Sequence, residues 1–79
     1  MDFDGSFEYE NDTIYYKIVD DNYPIKTIRG VEKMSRYFNF YDSNEKHIDF
    51  THVYDTFENL SNITPSYALE KYKEHISNK

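Results

Sequence analysis

Ser6-Phe7-Glu8-Tyr9-Glu10-Asn11-Asp12-Thr13-Ile14-Tyr15-Tyr16-Lys17-Ile18-Val19 is the stretch that decides the fold. Apolar and polar residues alternate on both sides of a polar turn, the period of two that marks half-buried strands. With Asn11-Asp12 as the turn, Tyr9 faces Ile14 and Phe7 faces Tyr16 on one side of a hairpin. Glu8 then meets Tyr15, Glu10 meets Thr13 and Ser6 meets Lys17 on the other side. One register sorts apolar from polar pairs, as a sheet with one buried face requires. Asn-Asp is a less favourable turn than Asn-Gly, so a wider four-residue loop in the same register is the alternative.

Outward from the hairpin, Asp20-Asp21-Asn22-Tyr23-Pro24 reads as a loop. From Ile25 the period changes. Ile28, Val31, Met34 and Phe38 share one helical face, and Lys26, Arg29, Lys33 and Arg36 the opposite one, which predicts an amphipathic helix. Gly30 and the β-branched residues weaken its first turn. Tyr37–Tyr41, the Asp42–Glu45 turn and His47–Phe50 then predict a second short hairpin with Phe38, Phe40, Ile48 and Phe50 inside. The rival for this segment is a helix from Ser43, with Asp42 and Glu45 as its capping box. A helix follows to about Leu60. The last helix has Thr64 as N-cap, Pro65 at its first position and Leu69, Tyr72 and Ile76 as its buried stripe. The expected fold is a single α+β domain over residues 1–79, its C-terminal helices packed on the sheet.

Seventy-nine residues support only a small core, since a chain this short buries about 60% of its unfolded surface. The absence of cysteine excludes disulfides, thiolate zinc and a Cys nucleophile. Leu, Ile, Val and Phe total 18 residues, barely above the disordered range, and nine Tyr tip the balance to folded. The opening Met1-Asp2-Phe3-Asp4 is acidic, unlike a secretory leader, and the longest uncharged run, 59–69, is polar and holds Pro65. The expectation is a cytoplasmic protein without a membrane span. Phe, Tyr, Met, Ile, Asn and Lys make up 38 residues against one Ala and two Arg, the usage of AT-rich codons in a low-GC bacterium or its phage.

The net charge of −6 has a pattern. Residues 1–21 carry −6, residues 22–41 carry +3, residues 42–58 carry −4 and residues 59–79 carry +1. Two acidic blocks flank a basic one. Either they neutralise each other across the fold, or an acidic block forms an exposed field aimed at a basic partner.

The usual signatures of chemistry are missing. His47 and His52 are five apart, which does not place two metal ligands on one helical face, and His75 lies far along the chain. Asp42-Ser43-Asn44 opens like a calcium loop, but His47 stands where that loop needs Gly, and Val53 where it needs Glu. Gly5 and Gly30 stand alone, so neither a phosphate-cradling loop nor a nucleophile elbow is present. The expectation is a protein that is not an enzyme and takes no cofactor or metal. Lys26, Arg29, Lys33 and Arg36 could track a phosphate backbone, but two acidic blocks oppose that approach, so no direct nucleic-acid binding is expected.

The acidic, tyrosine-rich surface carries the functional reading. Glu8 and Glu10 point the same way from one strand, about 7 Å apart, a spacing like that of successive phosphates. Asp12, Asp20 and Asp21 lie near the two ends of the hairpin, and Asp42 and Glu45 add a turn. Tyr15 and Tyr23 are expected to be exposed beside these acids, the composition of a contact surface for a basic protein. The plain alternative is an acidic surface kept for solubility. In general character the chain resembles the small acidic inhibitors that phages encode against nucleic-acid-handling host enzymes, such as anti-CRISPR proteins and other DNA mimics. That resemblance is one of composition. It implies an inhibitor with Glu8, Glu10, Asp12, Tyr15, Asp20, Asp21, Tyr23, Asp42 and Glu45 as candidate contacts. The other reading is a structural or regulatory module that acts by homo-oligomerising or through its basic residues.

Overall fold

Phe7, Ile14, Tyr16, Phe38, Phe40 and Val53 supply the sheet's half of one buried core, and Leu60, Ala68 and Tyr72 supply the helical half. A computed structural model describes residues 2–20 and 24–78. The strands are β1 (Gly5–Tyr9), β2 (Asp12–Asp20), β3 (Lys26–Ile28), β4 (Val31–Tyr41) and β5 (His47–Asp55), followed by helices α1 (Phe57–Leu60) and α2 (Pro65–Ser77). All the pairings are antiparallel: β1 with β2, β2 with β4, β4 with β5, and β3 with the start of β4. The result is an α+β architecture in two layers, a five-stranded sheet with both helices packed on one face. Among the described residues, no helix is long and apolar enough to cross a membrane.

The first hairpin keeps the expected faces but not the expected turn. Phe7 pairs with Ile14, Glu8 with Thr13 and Tyr9 with Asp12, so the turn is Glu10-Asn11, at φ 50° and 69°. Positive φ at both central residues gives a two-residue loop the twist its strands need. The partners shift by two, which preserves parity and leaves the paired strand residues on their expected faces while Glu10 passes into the turn. Gly5 supplies a reason for this register. It pairs with Tyr16, and a Cβ on Gly5 would lie 2.5–2.9 Å from the Tyr16 ring. Only glycine lets that ring lie so close to the β1 backbone.

The central helix is not formed. Residues Lys26–Ile28 and Val31–Tyr41 are strands joined by Arg29-Gly30, at φ 53° and 80°. Ile28 opposes Val31 and Lys26 opposes Lys33, so the supposed helical stripes are cross-strand neighbours. The physical reason lies downstream. Phe38 and Phe40 are both 0% exposed and face the helices, which fixes a period of two that β4 carries back to Val31.

The second hairpin exists, but its details differ from expectation. Tyr41 pairs with His47, yet Phe40 pairs with Asp49 across a register shift, leaving Ile48 as an extra residue. A bulge of one residue reverses the faces of the rest of its strand. Phe50 therefore opposes Asn39 on the face away from the helices and is 55% exposed, not internal. Ile48 is also exposed. β5 continues to Asp55, so the helix expected through Leu60 is a single turn from Phe57, capped by Thr56.

The last helix begins as expected, with the Tyr67 N–H donating to the Thr64 hydroxyl at 3.2 Å and Pro65 in its first turn. Tyr72 is buried, with Leu69 and Ile76 flanking it. Ala68, the chain's single alanine, is fully buried against the sheet and allows close approach. One polar cluster fixes the helix. Asp55 accepts hydrogen bonds from the Tyr67 hydroxyl at 2.6 Å, the Asn59 amide at 3.0 Å and the Thr56 N–H at 2.7 Å. His75 and Asp49 make a second contact at 3.0 Å.

Candidate protein-interaction surfaces

Strand direction decides where the charges go. β2 starts and β4 ends at the same end of the sheet, because Tyr15 pairs with Tyr41. The Glu10-Asn11 turn and the Asp42–Lys46 turn therefore lie side by side, and two acidic blocks far apart in sequence meet. A groove of about 300 Å³ there is lined by Glu10, Asp12 and Asp42, with Tyr9, Ile14, Ile48 and Tyr72 as its apolar part. Asp42 also builds its own turn, its Oδ1 accepting from the Asn44 and Lys46 N–H groups, each at 2.9 Å. Glu45 holds the left-handed position of that turn, at φ 64°.

The other candidates are placed differently. Glu8 is exposed on the sheet face away from the helices and accepts a hydrogen bond from the Thr13 hydroxyl at 2.7 Å. Glu10 belongs to the turn, so Glu8 and Glu10 are not successive side chains on one strand face. Asp20 is ion-paired with Arg36 Nε at 2.9 Å and lines a separate groove with Asp4. Tyr15 is half-buried rather than exposed, because Phe3 stacks on it with centroids 4.8 Å apart. Asp21 and Tyr23 lie outside the described residues.

The basic residues separate likewise. Arg36 turns to Asp20 and to the Ser35 carbonyl, at 2.7 Å, whereas Lys26 and Lys33 sit opposite one another at the far end of β4 beside the Arg29-Gly30 turn. Lys26 Nζ lies over the Tyr54 ring, 4.6 Å from its centroid. The acidic groove and the lysine pair thus stand at opposite ends of β4, in a molecule that extends 40 × 26 × 20 Å.

One surface escaped the sequence reading. The sheet face turned from the helices carries Tyr15, Tyr41, Phe50, Tyr37, His52 and Tyr54, joined by ring contacts such as Tyr37–Phe50 at 6.1 Å and Tyr37–His52 at 4.8 Å. The available signal was the alternation in 37–41, where Tyr37 and Tyr41 take one parity and Phe38 and Phe40 the other. Phenol rings suit a face that meets water, and phenyl rings suit the core.

The titratable groups displaced from their ordinary behaviour serve the fold. Burial pushes Tyr67 upward, reinforced by its hydrogen bond to Asp55. Burial works to raise Asp55, but hydrogen bonds from Tyr67, Asn59 and Thr56 outweigh it and leave the carboxyl below its usual value. Tyr16 is raised by burial and by the nearby Asp4 charge. Among the described residues, no group of three His, Asp or Glu side chains is placed to share a metal ion. No family model, curated protein or solved structure matches this chain.

Proposed function

We propose that the protein acts by binding, without catalysis, and presents its acidic end to a basic surface of another protein. The observation that carries this reading is the convergence of Glu10, Asp12 and Asp42 on one groove. The groove suits a long basic side chain. An aliphatic stem lies against Tyr72, Tyr9 and Ile48 while its charged head meets the carboxylates. Basic surfaces that hold nucleic acid offer such side chains in rows, and a net charge of −6 supports competition for them rather than nucleic-acid binding. The reading in full is a stoichiometric, phage-encoded inhibitor of a nucleic-acid-handling host enzyme or defence complex. The aromatic face of the sheet favours a second mode of association, between copies of the chain.

The test is capture by cross-linking from host extract, with mass spectrometry, comparing wild type with the variant Glu10→Lys, Asp12→Lys, Asp42→Asn. Asn at 42 keeps the oxygen that holds the turn, so circular dichroism and melting should be unchanged. The expected capture is a nucleic-acid-binding protein, displaced by competing duplex and lost in the variant. Equal capture by the folded variant, or capture indifferent to the competitor, rejects the proposal.

A further inference from the structure

We infer that the aromatic face of the sheet is covered by a second copy of this chain, packed face to face about a twofold axis that crosses the strands near the middle of β4. The face is broad and partly apolar. Phe50, Val19, Ile28 and Val31 all lie on it and are 41–55% exposed. The five strands, of 5, 9, 3, 11 and 9 residues, spaced about 4.8 Å apart and rising about 3.3 Å per residue, give a footprint of roughly 600 Å². Doubled, that reaches the lower bound of stable specific interfaces, about 1,200 Å². Tyrosine and phenylalanine are the side chains that such interfaces favour.

Charge identifies the occupant. On this face Glu8 stands at one end, while Lys26 and Lys33 stand directly opposite each other at the other end; Lys17, between them, is held within its own chain, donating to the Asp2 carbonyl at 3.0 Å. Like charges in a cross-strand pair are unfavourable unless an anion answers them. A twofold axis in the plane of the interface, perpendicular to the strands, reverses the long axis. It sets the Glu8 end of each copy over the lysine end of its partner. The contact is isologous, so one complementary pairing is made twice. A single-stranded nucleic acid would also find rings to stack on, but it would meet the Glu8 carboxylate at one end and a molecule of charge −6. The inference is independent of the acidic groove. Glu10, Asp12 and Asp42 share that groove with Tyr72 of α2 on the helix side, so a dimer still presents it twice.

Sedimentation equilibrium on the full chain tests the dimer, with circular dichroism confirming that each variant is folded. Wild type should show twice the monomer mass at high micromolar concentration. Phe50→Glu should weaken association by about tenfold or more, because it replaces the most exposed of those four apolar side chains with a carboxylate. Glu8→Lys alone and Lys26→Glu with Lys33→Glu should each weaken it similarly. The decisive arm is the mixture of those two charge variants, in which both contacts become complementary again and a heterodimer should form. A wild-type monomer throughout, a dimer indifferent to Phe50→Glu, or a mixture that does not associate overturns the inference. A Phe50-dependent gel shift of single-stranded oligonucleotide by a monomeric wild type assigns the face to nucleic acid instead.

Discussion

Gly5 and Tyr16 show how one missing side chain sets a register. The Tyr16 ring is 2% exposed and packs within 6.2 Å of Phe7, so it has nowhere to go if a methyl group appears beneath it. Gly5→Ala should therefore cost about 1–3 kcal/mol, in the range of overpacking substitutions. Urea denaturation of this variant beside Ser6→Ala, a control on the exposed face, checks the expectation. Asp55 and Tyr67 offer a second test at this scale. The Asp55 carboxyl is held below its unfolded value, so its contribution is full above about pH 4 and is lost as pH falls through the folded value. Tyr67 is displaced upward, so its contribution is present below about pH 10 and is lost as pH rises further. Tyr67→Phe removes the strongest donor to Asp55. The variant should lose about 1–2 kcal/mol at neutral pH and show flatter slopes on both the acid and alkaline sides. A stability–pH profile for wild type and variant, from melts at intervals across that range, reads out both limbs.

At the scale of elements, the hairpins turn through residues with positive φ, at Glu10-Asn11, Arg29-Gly30 and Glu45. Gly30 gives a prediction whose sign separates two folds. In a helix, replacing it with Ala would stabilise by about 1 kcal/mol. At φ 80° in a hairpin turn, the same change should destabilise by about 1 kcal/mol or more, although nothing lies within 4 Å of the new methyl. Chemical denaturation of Gly30→Ala decides it. This position also shows why part of the fold was legible and part was not. The faces of the first hairpin follow from strict alternation in 6–19, and α2 from the capping threonine and proline at 64 and 65, both local signals. In 25–38 the apolar spacings of three and four also suit two strands, because an exposed strand end needs no alternation. Gly30 was the competing clue. Phe50 was misplaced for another reason: without the bulge at Ile48 it would pair with Phe38 and face the core, and no local pattern announces a bulge. Of the candidate site, Glu10, Asp12 and Asp42 were legible as acids, whereas their meeting depends on the long-range pairing of β2 with β4.

Across the whole molecule, charge is sorted along a sheet whose longest strand has 11 residues. That places the acidic turns and the lysine pair roughly 30 Å apart, by the ~3.3 Å rise per strand residue. At physiological salt the Debye length is about 8 Å, so neither end screens the other and each presents its own field to an approaching surface. If the acidic end makes the partner contact, its main effect is on encounter. Association should slow as salt rises from about 0.05 to 0.5 M, a range over which the Debye length shrinks several-fold, while dissociation changes little. Surface plasmon resonance against the captured partner separates the two rates. The Glu10→Lys, Asp12→Lys, Asp42→Asn variant should lose most of that salt dependence together with its affinity. Lys26→Glu with Lys33→Glu, at the opposite end, should leave the partner's on-rate nearly unchanged when both proteins are measured at concentrations where the chain is monomeric. Equal effects from the two ends would mean that net charge alone governs encounter, and that the grouping of carboxylates at the groove has no directing role.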